Sequence, residues 1–347
     1  MPAGLSPPGS ISGGASGSSP PGSAGAVRIG IISDIHYAAA AEMARGCDYE
    51  ASCLSSPLAR LFIRCYRRFF WLHQPLQKGY LLDRFLELAP PLDYLVGNGD
   101  YSCDSAYLGV CDEAACESAR ECVGKLRRVY GSRLRLNFGD HELGKLSLFG
   151  DRGGMRLASW ERAREQLGLE PFWRLEAGNY VLLGFVSSLV ALPLFEPDIL
   201  PEERARWEEL RAEHLASLRA AFDGLRPEQR VLVFCHDPTA LPFLWREPSV
   251  QARVGQIEQT IIGHLHSNLV LWKSRLLAGL PRITFLGHTV TRLSTALGEA
   301  RCWRAFRVRL CPALAGIELL KDGGFLTADI DPEARRPTVF RFHPVPR

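Results

Sequence analysis

Apolar residues in this chain gather in short runs, and five of the runs stop at residues able to ligate a metal. The first is Val27-Arg28-Ile29-Gly30-Ile31-Ile32, followed by Ser33-Asp34-Ile35-His36. A nearly continuous apolar run of this length reads as a buried strand. Side chains two apart on a strand point the same way, so Asp34 and His36 can face one target together. The second run, Leu92-Asp93-Tyr94-Leu95-Val96, ends in Gly97-Asn98-Gly99-Asp100-Tyr101-Ser102-Cys103-Asp104. The third, 134–138, leads into Gly139-Asp140-His141-Glu142. Two further strands, 173–175 and 180–186, are divided by Gly178-Asn179. The run 231–235 then leads to His236-Asp237-Pro238, and 260–263 leads to His264-Leu265-His266. Strand-like pieces at 283–286 and near 306–310, 316–320 and 338–342 would complete a second sheet.

Helical periodicity fills the gaps. A helix over 78–88 is stopped by Pro90-Pro91, one of mixed charge covers about 113–129, and a long one covers about 201–222. In the last, Trp207, Leu210, Leu215, Leu218 and Phe222 can cover a sheet. Strand, helix, strand, helix, strand with polar residues at successive strand ends is the layout of a layered α/β sheet with its site at the carboxyl edge.

One segment departs from this rhythm. Between Tyr37 and about Tyr80 lies an insertion whose centre, 58–72, places Leu58, Leu61, Phe62, Cys65, Phe69 and Leu72 on one helical stripe. Arg60, Arg64, Arg67 and Arg68 lie off that stripe, and no acidic residue occurs between Glu50 and Asp83. A purely basic face opposite bulky aromatics resembles an interfacial membrane helix. A lid helix packed on the core with solvated arginines is the alternative.

Composition narrows the classes. The chain has 347 residues and a formal net charge of +3, so no strong global field favours nucleic acid as a partner. Its ten cysteines form no Cys-x-x-Cys pair, and a chain this long needs no disulfide staples, so reduced thiols in a cytosolic setting are expected. Residues 1–26, almost all Gly, Ser, Pro and Ala, read as a disordered tail without the marks of a secretory signal. No uncharged run reaches the length needed to span a bilayer. A cytoplasmic protein, attached at most peripherally to the inner face of a membrane, is the expectation.

Taken together, the strand ends supply Asp34, His36, Asp100, Asp140, His141, His236, His264 and His266. In this order they resemble the calcineurin-like metallophosphoesterase superfamily, whose pattern runs Asp-x-His, Gly-Asp-x-x-Asp, Gly-Asn-His-Asp/Glu, a single His, then Gly-His-x-His. The resemblance covers about 28–267. It implies an α/β fold: a two-sheet β-sandwich flanked by helices, four layers in αββα order, spanning 27–347 with a helical cap insertion at about 38–80. It also implies a dinuclear site in which Asp34, His36 and His266 hold one metal, Asp140, His236 and His264 hold the other, and Asp100 bridges them. Paired cations lower the pKa of a shared water and clamp a phosphoryl oxygen. His141, not needed as a ligand, would stabilise developing charge or protonate the leaving group. Oxygen and nitrogen donors without thiolate suit Mn, Fe, Zn or Mg, with Mn the expectation.

Two departures from that pattern stand out. The second motif is one residue longer, which puts in doubt the role of Asp104 in orienting the neighbouring histidine. The third carries Asp140 where Asn is usual, adding negative charge that weakens attraction for phosphate. Lys145 and Arg152, on what reads as a Gly-rich loop, are candidates to compensate by contacting phosphate. The cap, with Arg64, Arg67 and Arg68 as further phosphate contacts, suits a substrate that is phosphate at one end and acyl chain at the other. The combination resembles the UDP-2,3-diacylglucosamine pyrophosphatases of lipid A synthesis in their chlamydial-type form, which implies release of UMP and a lipid monophosphate. A soluble phosphatase or cyclic-nucleotide phosphodiesterase remains open, as does a non-catalytic scaffold of the same fold.

Overall fold

The computed structural model describes residues 25–147, 152–283 and 288–347. The expected tail at 1–26 lies almost wholly outside the described residues, as does most of the strand expected at 283–286.

Two five-stranded sheets stack face to face. The first comprises β1 (Val27–Ile32), β2 (Tyr94–Gly97), β3 (Leu134–Leu136), β9 (Gly324–Ile330) and β10 (Val339–Pro344), in the order β10-β9-β1-β2-β3. The second comprises β4 (Phe172–Ala177), β5 (Tyr180–Phe185), β6 (Arg230–Phe234), β7 (Ile257–Ile262) and β8 (Val308–Leu310), in sequence order. Strands β1, β2 and β3 are parallel, with Ile29 opposite Tyr94 and Gly97 opposite Leu136. Strands β5 to β8 are parallel as well. The carboxyl ends of these seven parallel strands therefore lie along one rim.

The alternation of side chains explains the layering. From β1, Ile29 and Ile31 enter the core between the sheets, together with Leu232 and Phe234 of β6 and Ile261 of β7. Ile32 faces the other way, into the helices over the first sheet, chiefly Tyr80–Leu88 and Glu113–Tyr130. Val231 and Val233 face the helix Arg204–Asp223, whose Leu215, Leu218 and Phe222 cover the second sheet. This is the four-layer αββα arrangement.

Two expectations are corrected, and one of the two alternatives for the cap is disfavoured. The piece at 316–320 is a turn, not a strand: Gly316 takes a left-handed φ of 61° and Asp322 accepts from the Ile317 amide. The strand that exists there, β9, starts after it. Both β9 and β10 return to the first sheet instead of completing the second, with β9 pairing antiparallel to β1. The cap helix, Pro57–Phe69, starts on a Ser56 cap with Pro57 in its first turn, but its apolar stripe does not pack on the core. Leu58, Leu61, Phe62 and Phe69 are 80, 58, 67 and 67 % exposed, and only Ile63 of this helix is buried.

Candidate metal centre

The rim gathers the residues that the sequence placed at strand ends. Asp34 and His36 follow β1, Asp100 follows β2, and Asp140 opens a single helical turn (Asp140–Leu143) after β3. His236 follows β6, and His264 and His266 follow β7. Ligand atoms of Asp34, His36 and His266 lie within 4.8 Å of one another, and so do those of Asp100, Asp140, His236 and His264. Asp100 also groups with His36 and His141, which puts it between the two sets.

The chain turns sharply to aim these groups. Asp34, His36, Asp100, His264 and His266 all have left-handed backbones, with φ between 49° and 61°. Such a residue costs about 1–3 kcal/mol, a strain that the surrounding hydrogen bonds must offset. They are dense here. Asp34 accepts from the His264 amide at 3.0 and 3.1 Å and from Ser33 Oγ at 2.5 Å. The Ile35 and His36 amides both donate to the Asp100 carbonyl. Close approach needs glycine at Gly139, where a Cβ would sit 2.1 Å from Asp100 Oδ1, and at Gly263, where it would sit 2.0 Å from Ser33 Oγ.

The donor set fits a pair of cations. Three carboxylates, Asp34, Asp100 and Asp140, are buried on one spot. His236 Nε2 lies 3.1 Å from Asp100 Oδ2 and 3.2 Å from Asp140 Oδ1, while His264 Nδ1 lies 3.3 Å from the same Asp140 oxygen. His36 Nε2 and His266 Nε2 face each other at 3.2 Å, and His266 Nε2 is 3.3 Å from Asp34 Oδ1. The opposite nitrogen of His236 faces the Asn98 carbonyl at 2.8 Å, and that of His36 faces the Ser102 carbonyl at 3.3 Å. Donation to those carbonyls leaves each Nε2 with a lone pair aimed into the cluster, the usual second-layer support of a metal-binding histidine. His266 Nδ1 is buried without a partner among the described residues. Electrostatics agree. Burial opposes charge on His236, yet Asp100 and Asp34 push its pKa well above the ordinary value. For His264 burial likewise opposes charge, but Asp237 and Asp140 raise its pKa to about 9. The carboxylates thus favour positive charge at His236 and His264, whereas burial and the neighbouring His36 hold the His266 pKa well below its ordinary value.

The remaining site candidates divide. His141 sits beside the cluster, its Nε2 3.7 Å from Asp100 Oδ2 and its ring centroid 4.6 Å from that of His36. Burial lowers its pKa to about 3, so it is neutral, and its Nε2 contacts Lys145 Nζ. Asp104 is buried but uses Oδ1 to accept from the Gly109 amide at 2.9 Å. Its Oδ2 and His141 Nδ1 are each without a partner among the described residues, so no hydrogen bond orients His141 through Asp104. Lys145 lies at the cluster, 3.0 Å from Asp140 Oδ2. Arg152 points elsewhere, with NH1 3.0 Å from Cys53 Sγ.

A cavity of about 510 Å³ opens beside the cluster. His36, Asp100, Asp140, His141, His264 and His266 line one wall, and cap residues Phe62, Ile63, Tyr66, Trp71, Leu72 and Pro75 line the other. The Trp71 ring lies 4.8 Å from that of His266. Of the cap arginines only Arg67 reaches this cavity, paired with Glu50, while Arg64 pairs with Asp48 on the outside and Arg68 lies over the Phe69 ring. The basic face is thus partly neutralised by acids that precede the helix.

Sequence reading assigned no role to Glu142. Its buried carboxylate accepts from the Asp100 amide at 3.0 Å, the Gly139 amide at 2.7 Å and the Tyr101 amide at 2.8 Å, tying two ligand loops together. Its place three residues after Gly139, at the start of a helical turn, is the capping-box spacing that marks such a brace.

No protein-family model matches the chain, and no curated protein sequence does. Among solved structures, the chain is similar to a dimetal phosphatase from Danio rerio at 14% identity, covering 92% of this chain and 96% of that one, with a TM-score of 0.43. It is also similar to the phosphopantetheinyl hydrolase of Mycobacterium tuberculosis at 14% identity, covering 70% and 84%, with a TM-score of 0.32. At such identities and TM-scores the chemistry rests on the side chains of this chain alone.

Proposed function

We propose that this chain is a metallophosphoesterase of the calcineurin-like type, a dinuclear metal-dependent hydrolase acting on a phosphoester or pyrophosphate joined to an apolar group. The observation that carries the reading is the shared cavity: a wall of metal-ligand type residues faces a wall of apolar cap residues across about 510 Å³. Two divalent cations, Mn²⁺ by preference, would be held by Asp34, His36 and His266 and by Asp140, His236 and His264, with Asp100 between. They would supply an acidified water and offset phosphoryl charge. The protein's part is to fix the ligands, to shield one side of the reaction with Trp71, and to keep His141 neutral beside the leaving group.

The apolar wall favours a lipid-linked substrate, of which UDP-2,3-diacylglucosamine is the one we propose, yielding UMP and a lipid monophosphate. The exposed stripe of the cap helix supports docking at a membrane surface. It adjoins further exposed apolar residues: Lys273 lies over the Phe70 ring, and the Leu319 amide donates to the Phe70 carbonyl. This brings Trp272, Leu276, Leu319 and Leu320, all exposed, beside the cap. No helix among the described residues is long and apolar enough to cross a membrane.

The test is a panel of substrates with Mn²⁺-loaded protein: the diacylglucosamine nucleotide in mixed micelles, soluble nucleotides including cyclic ones, and bis(p-nitrophenyl) phosphate. The variant Leu58→Ser/Leu61→Ser/Phe69→Ser, which touches no cavity residue, is expected to lose lipid turnover and keep diester hydrolysis. Turnover of nucleotides alone, or equal lipid turnover in that variant, would overturn the lipid reading.

A further inference from the structure

We infer that Asp140 and Lys145 work as one unit, in which Lys145 offsets the third carboxylate of the cluster and presents its ammonium to a phosphoryl oxygen of the substrate. The inference rests on the proposed function and adds a catalytic residue to it. Its basis is how Asp140 divides its oxygens. Oδ1 faces His236 Nε2 and His264 Nδ1, at 3.2 and 3.3 Å, on the ligand side. Oδ2 faces Lys145 Nζ at 3.0 Å. One oxygen is thus free for a metal while the other is neutralised, so the carboxylate behaves as a single-oxygen ligand with a donor attached.

The backbone is built to produce this pairing. Gly144, with a φ of 91°, ends the helical turn after Leu143 and swings the chain so that Lys145 comes back onto Asp140. A Cβ at Gly144 would meet the Gly154 carbonyl at 2.4 Å, which leaves the turn to glycine. The Lys145 amide is held by the Tyr107 carbonyl at 3.2 Å.

Lys145 is also distinct among the cations that line the cavity. Arg67 is paired with Glu50, and Arg292 is paired with Asp198 at 2.6 Å, so neither partner is a cluster residue. The partner of Lys145 is itself a ligand candidate, whose charge a bound cation would share. An ammonium carries three donors. Two are taken by Asp140 Oδ2 and His141 Nε2, and one remains for a group entering the cavity. Three carboxylates and a hydroxide would balance two divalent cations, so Lys145 would supply the positive charge left to attract phosphate.

The unit makes a prediction that a structural lysine would not. In Lys145→Met, Mn²⁺ measured by calorimetry should bind about tenfold tighter, because Asp140 loses its competing cation. Inorganic phosphate, measured as an inhibitor of bis(p-nitrophenyl) phosphate hydrolysis by Mn²⁺-loaded protein, should bind about tenfold to a hundredfold weaker, the range of a lost charged hydrogen bond. Asp140→Asn/Lys145→Met, near in shape and with no charge buried alone, should return Mn²⁺ affinity to within a few-fold of the wild type while phosphate binding stays weak. Should Lys145→Met fail to fold, phosphate inhibition of the double variant decides. Weakening of both metal and phosphate in Lys145→Met, or unchanged phosphate inhibition in either variant, would overturn the inference. A wild-type protein that neither holds Mn²⁺ nor cleaves the diester would overturn the proposed function instead.

Discussion

Gly139→Ala is the sharpest test of the metal centre, because it adds one methyl group and little else. The backbone at Gly139 has φ −98° and ψ −172°, an extended conformation open to any residue, so alanine brings no conformational penalty. Its Cβ would, however, sit 2.1 Å from Asp100 Oδ1 and 2.4 Å from the Asp100 amide nitrogen. A comfortable contact is over 3 Å, so the Asp100 carboxylate must retreat by about 1 Å. That movement breaks the 3.0 Å bond from the His141 amide to Oδ1 and strains the Glu142 brace beneath. Overpacking costs about 1–3 kcal/mol and a lost bond to a carboxylate about 1.5–3 kcal/mol, for a total near 3–6 kcal/mol. A domain in the upper part of the usual range of about 5–15 kcal/mol stays folded after such a loss. Metal ligation tolerates displacements of only about 0.2 Å, and a 1 Å error at a reacting centre costs about 100-fold in rate. The variant should therefore fold with a lowered melting temperature, hold fewer than two metals by elemental analysis, and cleave bis(p-nitrophenyl) phosphate about 100-fold more slowly. A variant with the wild-type metal count and rate would refute the placement of Asp100 between two cations.

Other outcomes follow from the same geometry. Removing metal with a chelator should lower the melting temperature of the wild type, and restoring Mn²⁺ should raise it with concentration, as binding to the folded state alone requires; Asp34→Asn should blunt that response. His214, buried in the helix Arg204–Asp223, accepts from the Val186 amide at 3.1 Å, and burial lowers its pKa to about 4. Between about pH 4 and 6.5 the unfolded chain takes up a proton that the folded chain refuses. Stability is therefore complete above about pH 6.5 and falls by ~3 kcal/mol as the pH drops to about 4; denaturant titrations across that window should show a flatter slope in His214→Gln. Flotation with anionic vesicles should recover the wild type and lose Leu58→Ser/Leu61→Ser/Phe69→Ser by tenfold or more, since each buried Leu or Phe is worth about 1.5–3 kcal/mol.

The strand ends were legible because buried parallel strands read as unbroken apolar runs, and each such run in this chain stops at its polar residue. Strand β9 was not, although it lies between β1 and β10. It opens with glycine and carries Thr327 and Asp329, which dilute the apolar signal, and Asp329 is polar there because it pairs with Arg28 at the sheet end. The cap helix was legible as a helix but not in its orientation. Periodicity shows that one stripe is apolar; it cannot tell a protein core from another apolar surface, and here Ile63 packs inward while Leu58 and Phe62 do not. The partners of the cap arginines were hidden for a related reason. Asp48 and Glu50 precede the helix and meet Arg64 and Arg67 only through the fold of the loop. Lys145 and Arg152 looked alike in sequence, but the turn at Gly144 brings Lys145 back to Asp140 while Arg152 points to Cys53.

The left-handed backbones of Asp34, His36, Asp100, His264 and His266 restrict how this centre could be redesigned. Aside from glycine, the residues that best tolerate that conformation are aspartate, asparagine and histidine. An engineer wishing to shift metal preference at these five positions has a palette of three ligating side chains. Cysteine, glutamate and every branched alternative start with a handicap unrelated to their affinity for any ion. Asp140 and His236, which lack that constraint, are where variation in metal selectivity should be sought.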